Sequence, residues 1–214
     1  MPDSKLPTRI VAATLQARLE FYDVSIASQE LIAEGPIICV ANHVCSLDSW
    51  IAFDVTMRRF RRNFLHIGEN SVVSRHRFLT RFGVLPVSAN DSLMTMRSIT
   101  AMGSTLRSNP DHAAWIFPTG RHESSLTFTG EIHGGVQALA RVSGNALVVP
   151  VGLQYYVYRR PRASVWVHIG EPMMSALELS REKRDTASSL VRQGIKDSLQ
   201  AAAQQITTHR INGV

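Results

Sequence analysis

Two cysteines in 214 residues, Cys39 and Cys45, are too few and too closely set for a disulfide scaffold or a thiolate zinc cluster, and they point to a reducing compartment. Lysine is nearly as scarce. Lys5, Lys183 and Lys196 are all there are, so the net charge of +6 is carried almost wholly by arginine. Arginine presents a planar fork suited to phosphates and carboxylates, and the basic balance suits anionic ligands, lipid head groups or an acidic protein. No apolar run approaches the ~20 residues that span a bilayer, and no secretory signal pattern is apparent at the N-terminus. There is no internal repeat, low-complexity tract or convincing linker. The basic residues are spread along the chain without interleaved aromatics, which argues against a nucleic-acid partner. The histidines outside the first motif described below (His66, His76, His112, His122, His133, His168 and His209) are scattered in sequence and give no metal-ligand spacing; they read as solvated or core residues.

What is present is a hydrophobic content of 44%, enough for a sizeable core, arranged as short apolar runs between helix-like stretches. Strands are expected at Ile37–Val40, Phe64–Ile67, Val84–Val87, Ala113–Phe117, Leu147–Val151 continuing towards Tyr158, and Ser164–Ile169. Leu93, Met96, Ile99, Gly103 and Leu106 follow helical spacing, as do Val191, Ile195, Leu199, Ala202 and Ile206. The expected fold class is α/β: a single domain over 1–214 with a mostly parallel mixed sheet flanked by helices. Residues 1–30 read as an N-terminal helical segment, residues 31–175 as the core and 176–214 as a C-terminal helix. Within 8–22, Val11, Leu15, Leu19 and Tyr22 share one helical face, which fits either core packing or a helix lying on a membrane. The Arg58–Arg62 cluster reads as a solvated loop or helix end.

Two stretches carry chemistry. Ala41-Asn42-His43-Val44-Cys45-Ser46-Leu47-Asp48 follows the strand at Ile37, with a helix opening at Asp48. His43 then stands in a strand-to-helix turn at the C-terminal edge of a sheet, where open α/β folds bind ligands. Asp48, about one helical turn further on, can accept the N–H of one imidazole nitrogen and leave the other as a base. The same residues also fit a plain turn closed by Asn42 with Asp48 as a helix N-cap. Cys45 adds a possible thiolate nucleophile. The second stretch is Phe117-Pro118-Thr119-Gly120-Arg121-His122, a strand ending in a Pro-containing turn. Gly120 lets backbone approach a ligand, and Arg121 offers a positive fork.

Together these stretches resemble the glycerolipid acyltransferase family typified by bacterial 1-acylglycerol-3-phosphate acyltransferases. That family carries Asn-His-x-Ser-x-x-Asp, then Phe-Pro-Glu-Gly-Thr-Arg, then a Val-Pro-Val-like strand. Here these correspond to Asn42–Asp48 with the serine displaced by one place, to Phe117–Arg121, and to Val148-Val149-Pro150-Val151. Gly83-Val84-Leu85-Pro86-Val87-Ser88 looks like the family's second block. The chain departs from the pattern in having Thr119 at the motif glutamate, Arg121 one place closer to the glycine, and Ser88-Ala89-Asn90 where the second block ends in arginine. Arg75, Arg81 or Arg97 are the neighbouring arginines available to replace it, and an uncharged acceptor hydroxyl is also compatible.

The resemblance implies an O-acyltransferase in which His43, oriented by Asp48, deprotonates an acceptor alcohol as it attacks an acyl thioester. Asn42, Ser46, Phe117, Pro118, Thr119, Gly120 and Arg121 are its implied substrate-binding residues, with backbone N–H groups near Gly120 as an oxyanion site. The implied donor is acyl-CoA or acyl carrier protein, the acceptor a lysophospholipid or other lipid-like alcohol. No metal or other cofactor is expected, and the implied location is cytoplasmic, peripheral on the inner face of the cell membrane. Two other readings stay open: a catalytically impaired relative that binds lipid or acyl carrier protein, and a His-assisted thioesterase.

Overall fold

The computed structural model describes residues 5–28, 35–156 and 162–211. The chain runs α1 (Lys5–Arg18), β1 (Leu19–Ile26), β2 (Ile37–Ala41), α2 (Leu47–Val55), β3 (Asn63–Glu69), α3 (Asn70–Arg75), α4 (Phe78–Arg81), β4 (Val84–Val87), α5 (Ser92–Ser108), β5 (His112–Ile116), α6 (Gly135–Val142), β6 (Leu147–Tyr156), β7 (Ala163–Ile169), β8 (Met174–Ser175), α7 (Ala176–Arg181) and α8 (Arg184–Ile211). A π-helical turn, Thr56–Phe60, extends α2. The strands form one sheet in the order β1-β7-β6-β2-β5-β3-β4, with β8 on β6. Every pairing is parallel except β6 with β7 and β6 with β8.

The central strands are apolar without interruption because they feed two cores at once. Ile37, Cys39 and Ala41 of β2, Ala113 and Trp115 of β5, and Val149, Val151 and Leu153 of β6 face a core closed by Val11 and Leu15 of α1 and Ile51 and Val55 of α2. The alternate residues Ile38, Val40, Ala114, Ile116 and Val148 face the other core. That side is covered by Met102 and Leu106 of α5, Leu139 of α6, Leu179 of α7, and Val191 and Ile195 of α8. Burial of the Val, Leu, Ile and Met side chains among these contributes roughly 1.5–3 kcal/mol each relative to exposure.

The N-terminal helix stops at Arg18, and Leu19–Ile26 is a strand paired in parallel with β7. Leu19 and Tyr22 fit an i, i+3 helical step, but Leu-Glu-Phe-Tyr-Asp-Val-Ser-Ile is rich in aromatic and β-branched residues, and Phe21 packs on Trp166 with ring centroids 5.2 Å apart. The C-terminal region is two helices, α7 and α8, the first opened by a Ser175–Glu178 capping box. On α5, Leu93 and Met96 are exposed, and the buried face is Ile99, Met102, Gly103 and Leu106. Arg62 is not solvated: it is buried and its Nη1 donates to the Pro110 carbonyl. Continuation of β6 towards Tyr158 lies outside the described residues.

Ala41, the last residue of β2, pairs with Val151, whereas β6 runs on to Tyr156. The outer half of β6 therefore stands alongside the turn that carries His43.

Candidate active site

β2 and β5 are adjacent parallel strands, so the turns that follow them, at Asn42–Ser46 and Phe117–Glu123, leave the sheet at the same C-terminal edge. A backbone bond of 2.6 Å from the Glu123 N–H to the His43 carbonyl ties the two together. His43 Nδ1 lies 2.7 Å from Asp48 Oδ2. A carboxylate accepts, so Nδ1 carries the proton and Nε2 holds the lone pair of a ring that lines the adjoining cavity. The ring is stacked on Phe117 at 4.3 Å and 7°, and meets His122 edge-on at 4.3 Å. These contacts leave the imidazole little rotational freedom.

Asp48 is fully buried in the first turn of α2 rather than at its N-cap. Its Oδ2 also accepts from the backbone N–H groups of Val44 at 2.6 Å and Cys45 at 3.0 Å. Its Oδ1 accepts from the Tyr155 hydroxyl at 2.5 Å. A carboxylate removed from water requires such donors. Cys45 Sγ lies 3.9 Å from Asp48 Oδ1, and burial first, then the Asp48 charge, pushes the thiol above its ordinary range. A thiol held protonated and turned towards a carboxylate is unsuited to nucleophilic attack.

The cavity against the His43 ring measures about 750 Å³ and is mostly apolar. Its walls form a continuous series of ring contacts running from His43 through Phe117, His66, Phe64, Phe53 and Phe82 to Phe78, each centroid pair within 5.9 Å. Its exposed lining residues include Gly120, Arg121 and His122 from the turn after β5, and Val72, His76 and Phe78 from the α3–α4 segment. Three of the seven histidines scattered in sequence, His66, His76 and His122, line the same cavity as His43. Among the described residues, no group of three or more His, Cys, Asp or Glu is arranged to hold a metal ion.

His66 is a wall group, not a second base. Its Nδ1 donates to the Trp115 carbonyl at 3.1 Å, which leaves Nε2 to accept from the Ser49 hydroxyl at 3.2 Å. Burial lowers its pKa to about 4, so it is neutral under ordinary conditions.

Of the other expected site residues, Ser46, Phe117, Gly120 and Arg121 line the cavity with His43. Asn42 stands behind them, fully buried, its Nδ2 donating to the Leu153 carbonyl at 2.9 Å and its Oδ1 accepting from the Leu153 N–H at 2.7 Å. Pro118 and Thr119 are also buried; the Pro118 carbonyl accepts from His133 N–H, and Thr119 Oγ1 donates to the Arg121 carbonyl at 3.1 Å. Gly120 takes φ of +61°, which closes the turn with its N–H donated to the Phe117 carbonyl at 3.1 Å. That N–H is thereby engaged and not free to meet an oxyanion. The Arg121 side chain is 70% exposed, its Nε 3.8 Å from Glu123 Oε1. Arg75, Arg81 and Arg97 are exposed and absent from the cavity wall. Arg121 is thus the one arginine or lysine on that wall among the described residues.

Tyr155, Ser49, Trp50, His66 and His122 were not anticipated from the sequence. The signal for Tyr155 was faint: a polar and aromatic Gln154-Tyr155-Tyr156 ending an otherwise apolar strand.

A family model described as Acyltransferase matches residues 23–154, more than half the chain. The chain belongs to the acyltransferase family. No curated protein sequence matches it. Among solved structures, it is similar to the 1-acyl-sn-glycerophosphate (LPA) acyltransferase PlsC of Thermotoga maritima, with a TM-score of 0.60 and 18% identity over 92% of this chain and 84% of that one. At that identity the likeness is one of fold. As a family member, the chain has the α/β architecture that its apolar pattern implies.

Proposed function

We propose that this acyltransferase moves a fatty acyl chain from acyl-CoA or acyl carrier protein to a hydroxyl of a lysophospholipid or other lipid-like alcohol, with His43 as general base and Asp48 holding it. The observation that carries this reading is the 2.7 Å bond from His43 to a buried carboxylate, with the ring against an apolar cavity of about 750 Å³. In the reaction, Nε2 takes the alcohol proton while the alcohol oxygen attacks the thioester carbonyl. Collapse of the tetrahedral intermediate expels the thiolate, and the imidazolium returns the proton to it. An alcohol is too weak an acid to ionise beforehand, so a base within reach is worth roughly 10²–10⁴-fold. No acyl-enzyme is needed.

The aromatic and aliphatic walls suit an acyl chain, and exposed Arg121 suits an anionic head group or the phosphates of a donor. Peripheral contact with the inner face of the cell membrane is part of the same proposal. Val72 and Phe78, about half exposed, flank the cavity beside exposed Arg75, Arg77 and Arg81. No acidic residue occurs between Glu69 and Asp91, so the segment pairs apolar insertion with uncompensated positive charge.

The test is His43→Ala with thermal unfolding as the fold control. Loss of acyl transfer by at least two orders of magnitude is expected in a variant that still unfolds in one cooperative transition. Near-normal transfer would sink the assignment, and thioester hydrolysis indifferent to added alcohols would point to a thioesterase instead.

A further inference from the structure

We infer that Tyr155 is a positioning residue of the base, a third member that holds Asp48 in place from strand β6; the inference rests on the general-base reading of His43. Asp48 Oδ2 is occupied by three donors, the His43 Nδ1–H and the N–H groups of Val44 and Cys45. All three come from the turn that Asp48 itself helps to close, so they move with it. Oδ1 is different. Among the described residues its one oxygen-based donor is the Tyr155 hydroxyl at 2.5 Å, from a residue 107 positions away in sequence. The Cys45 thiol, at 3.9 Å, is a weak alternative. Tyr155 therefore couples the carboxylate to the sheet and sets its rotation so that Oδ2 points at Nδ1.

β6 can do this because it outruns β2. Ala41 pairs with Val151, the Leu153 backbone clasps both amide atoms of Asn42, and Tyr155, two residues on, reaches Asp48. The Tyr155 carbonyl also accepts from Ser125 Oγ at 3.3 Å, which links the same residue to the loop that follows the Phe117 turn. Burial and the neighbouring Asp48 charge push the phenol far above its ordinary range, so it stays a donor and exchanges no proton. The titratable and charged groups around the pair are Cys45 and Tyr155 at Asp48, His122 and the neutral His66 near His43, Glu123, whose N–H holds the His43 carbonyl, and Arg121, Glu69 and His76 on the same cavity wall. Of these, Tyr155 is the one that moderates the Asp48 charge through a short O–H bond.

The test is Tyr155→Phe assayed for acyl transfer from palmitoyl-CoA to lysophosphatidic acid, or to whichever alcohol the wild-type protein accepts. A hydrogen bond to a charged group is lost, so kcat is expected to fall about 10- to 100-fold with KM for the donor unchanged. The carboxylate, no longer moderated, stabilises the imidazolium more strongly, and the acid limb of log kcat/KM moves to higher pH. In an Asp48→Asn background, Tyr155→Phe is expected to add almost nothing. Replacement of Tyr155 by 3-fluorotyrosine keeps the shape and strengthens the donor, and moves the acid limb to lower pH. An unmoved pH profile in both variants, or a full additional loss in the Asp48→Asn background, overturns the inference. His43→Ala tests the underlying reading separately, because it abolishes transfer whether or not Tyr155 contributes.

Discussion

Asn42 puts both of its amide groups into the backbone of Leu153, so Asn42→Ala leaves a buried N–H and a buried carbonyl of β6 without partners. The expected loss is about 2–4 kcal/mol of stability, read as a lowered urea midpoint at unchanged slope. His66 makes a different prediction. Burial holds its pKa near 4 in the folded chain against about 6.5 when unfolded, so the unfolded chain takes up the proton first as pH falls. The stabilisation is fully present above about pH 6.5 and is lost as pH drops towards 4, to the extent of about 3 kcal/mol. His66→Asn keeps an N–H for the Trp115 carbonyl and cannot titrate; its stability is expected to fall less steeply over that window, measured by urea unfolding at stepped pH. An identical pH dependence would show that His66 is not the group responsible. At this scale the His43–Asp48 pair was legible because five residues of separation across a turn brings two side chains together by local geometry alone. Tyr155 and His66 were not legible, because 107 and 17 residues separate them from their partners Asp48 and Ser49 and only the sheet brings them there.

Helix α8 lies close against β6. A Cβ added at Gly152 would fall 2.4 Å from the Leu199 nitrogen and the Ser198 carbonyl carbon, both backbone atoms of α8. Gly152→Ala is expected to push the helix off the strand at a cost of about 1–3 kcal/mol or more, seen as a lower melting temperature. Since β6 carries Leu153 and Tyr155, a loss of transfer in the folded variant larger than the loss of stability is expected as well. The strands that feed two cores were readable as unbroken apolar runs. β1 was not, since Leu19 and Tyr22 continue the spacing of α1 and its strand character depends on the open edge of β7. The same holds for α5, whose Leu93 and Met96 keep the helical period beyond the part of the helix that the core covers.

For the molecule as a whole, the cavity and the charged surface beside it make one arrangement. The aromatic series leads from His43 to Phe82 and Phe78, so enlarging a side chain at the remote end is expected to shorten the acyl chain accepted. Phe82→Trp should shift kcat/KM towards shorter acyl-CoA donors by about tenfold, while His43-dependent chemistry persists. Unchanged chain-length preference would place the acyl chain elsewhere. Flotation with vesicles containing anionic lipid tests the surface: Arg75→Ala, Arg77→Ala and Arg81→Ala together are expected to weaken binding by about 3 kcal/mol, and equal flotation of variant and wild type would remove the α3–α4 segment from the membrane contact. The chain's arginine-rich balance suits an anionic partner in general, and the proposed membrane contact is what assigns that charge to one face.

By itself the sequence determined the α/β class, the central strands, and the His43–Asp48 and Phe117–Arg121 turns. These follow from residue type and short-range spacing, which act before the chain is folded. Tertiary structure alone decided that β6 would overhang β2 and supply Leu153 and Tyr155 to the site, and that His66, His76 and His122 would share one cavity. It also decided that Asn42 and Thr119 would be buried and absent from the cavity wall. Those outcomes depend on strand order and register, which are set by how the two cores pack on the sheet and not by any local run of residues.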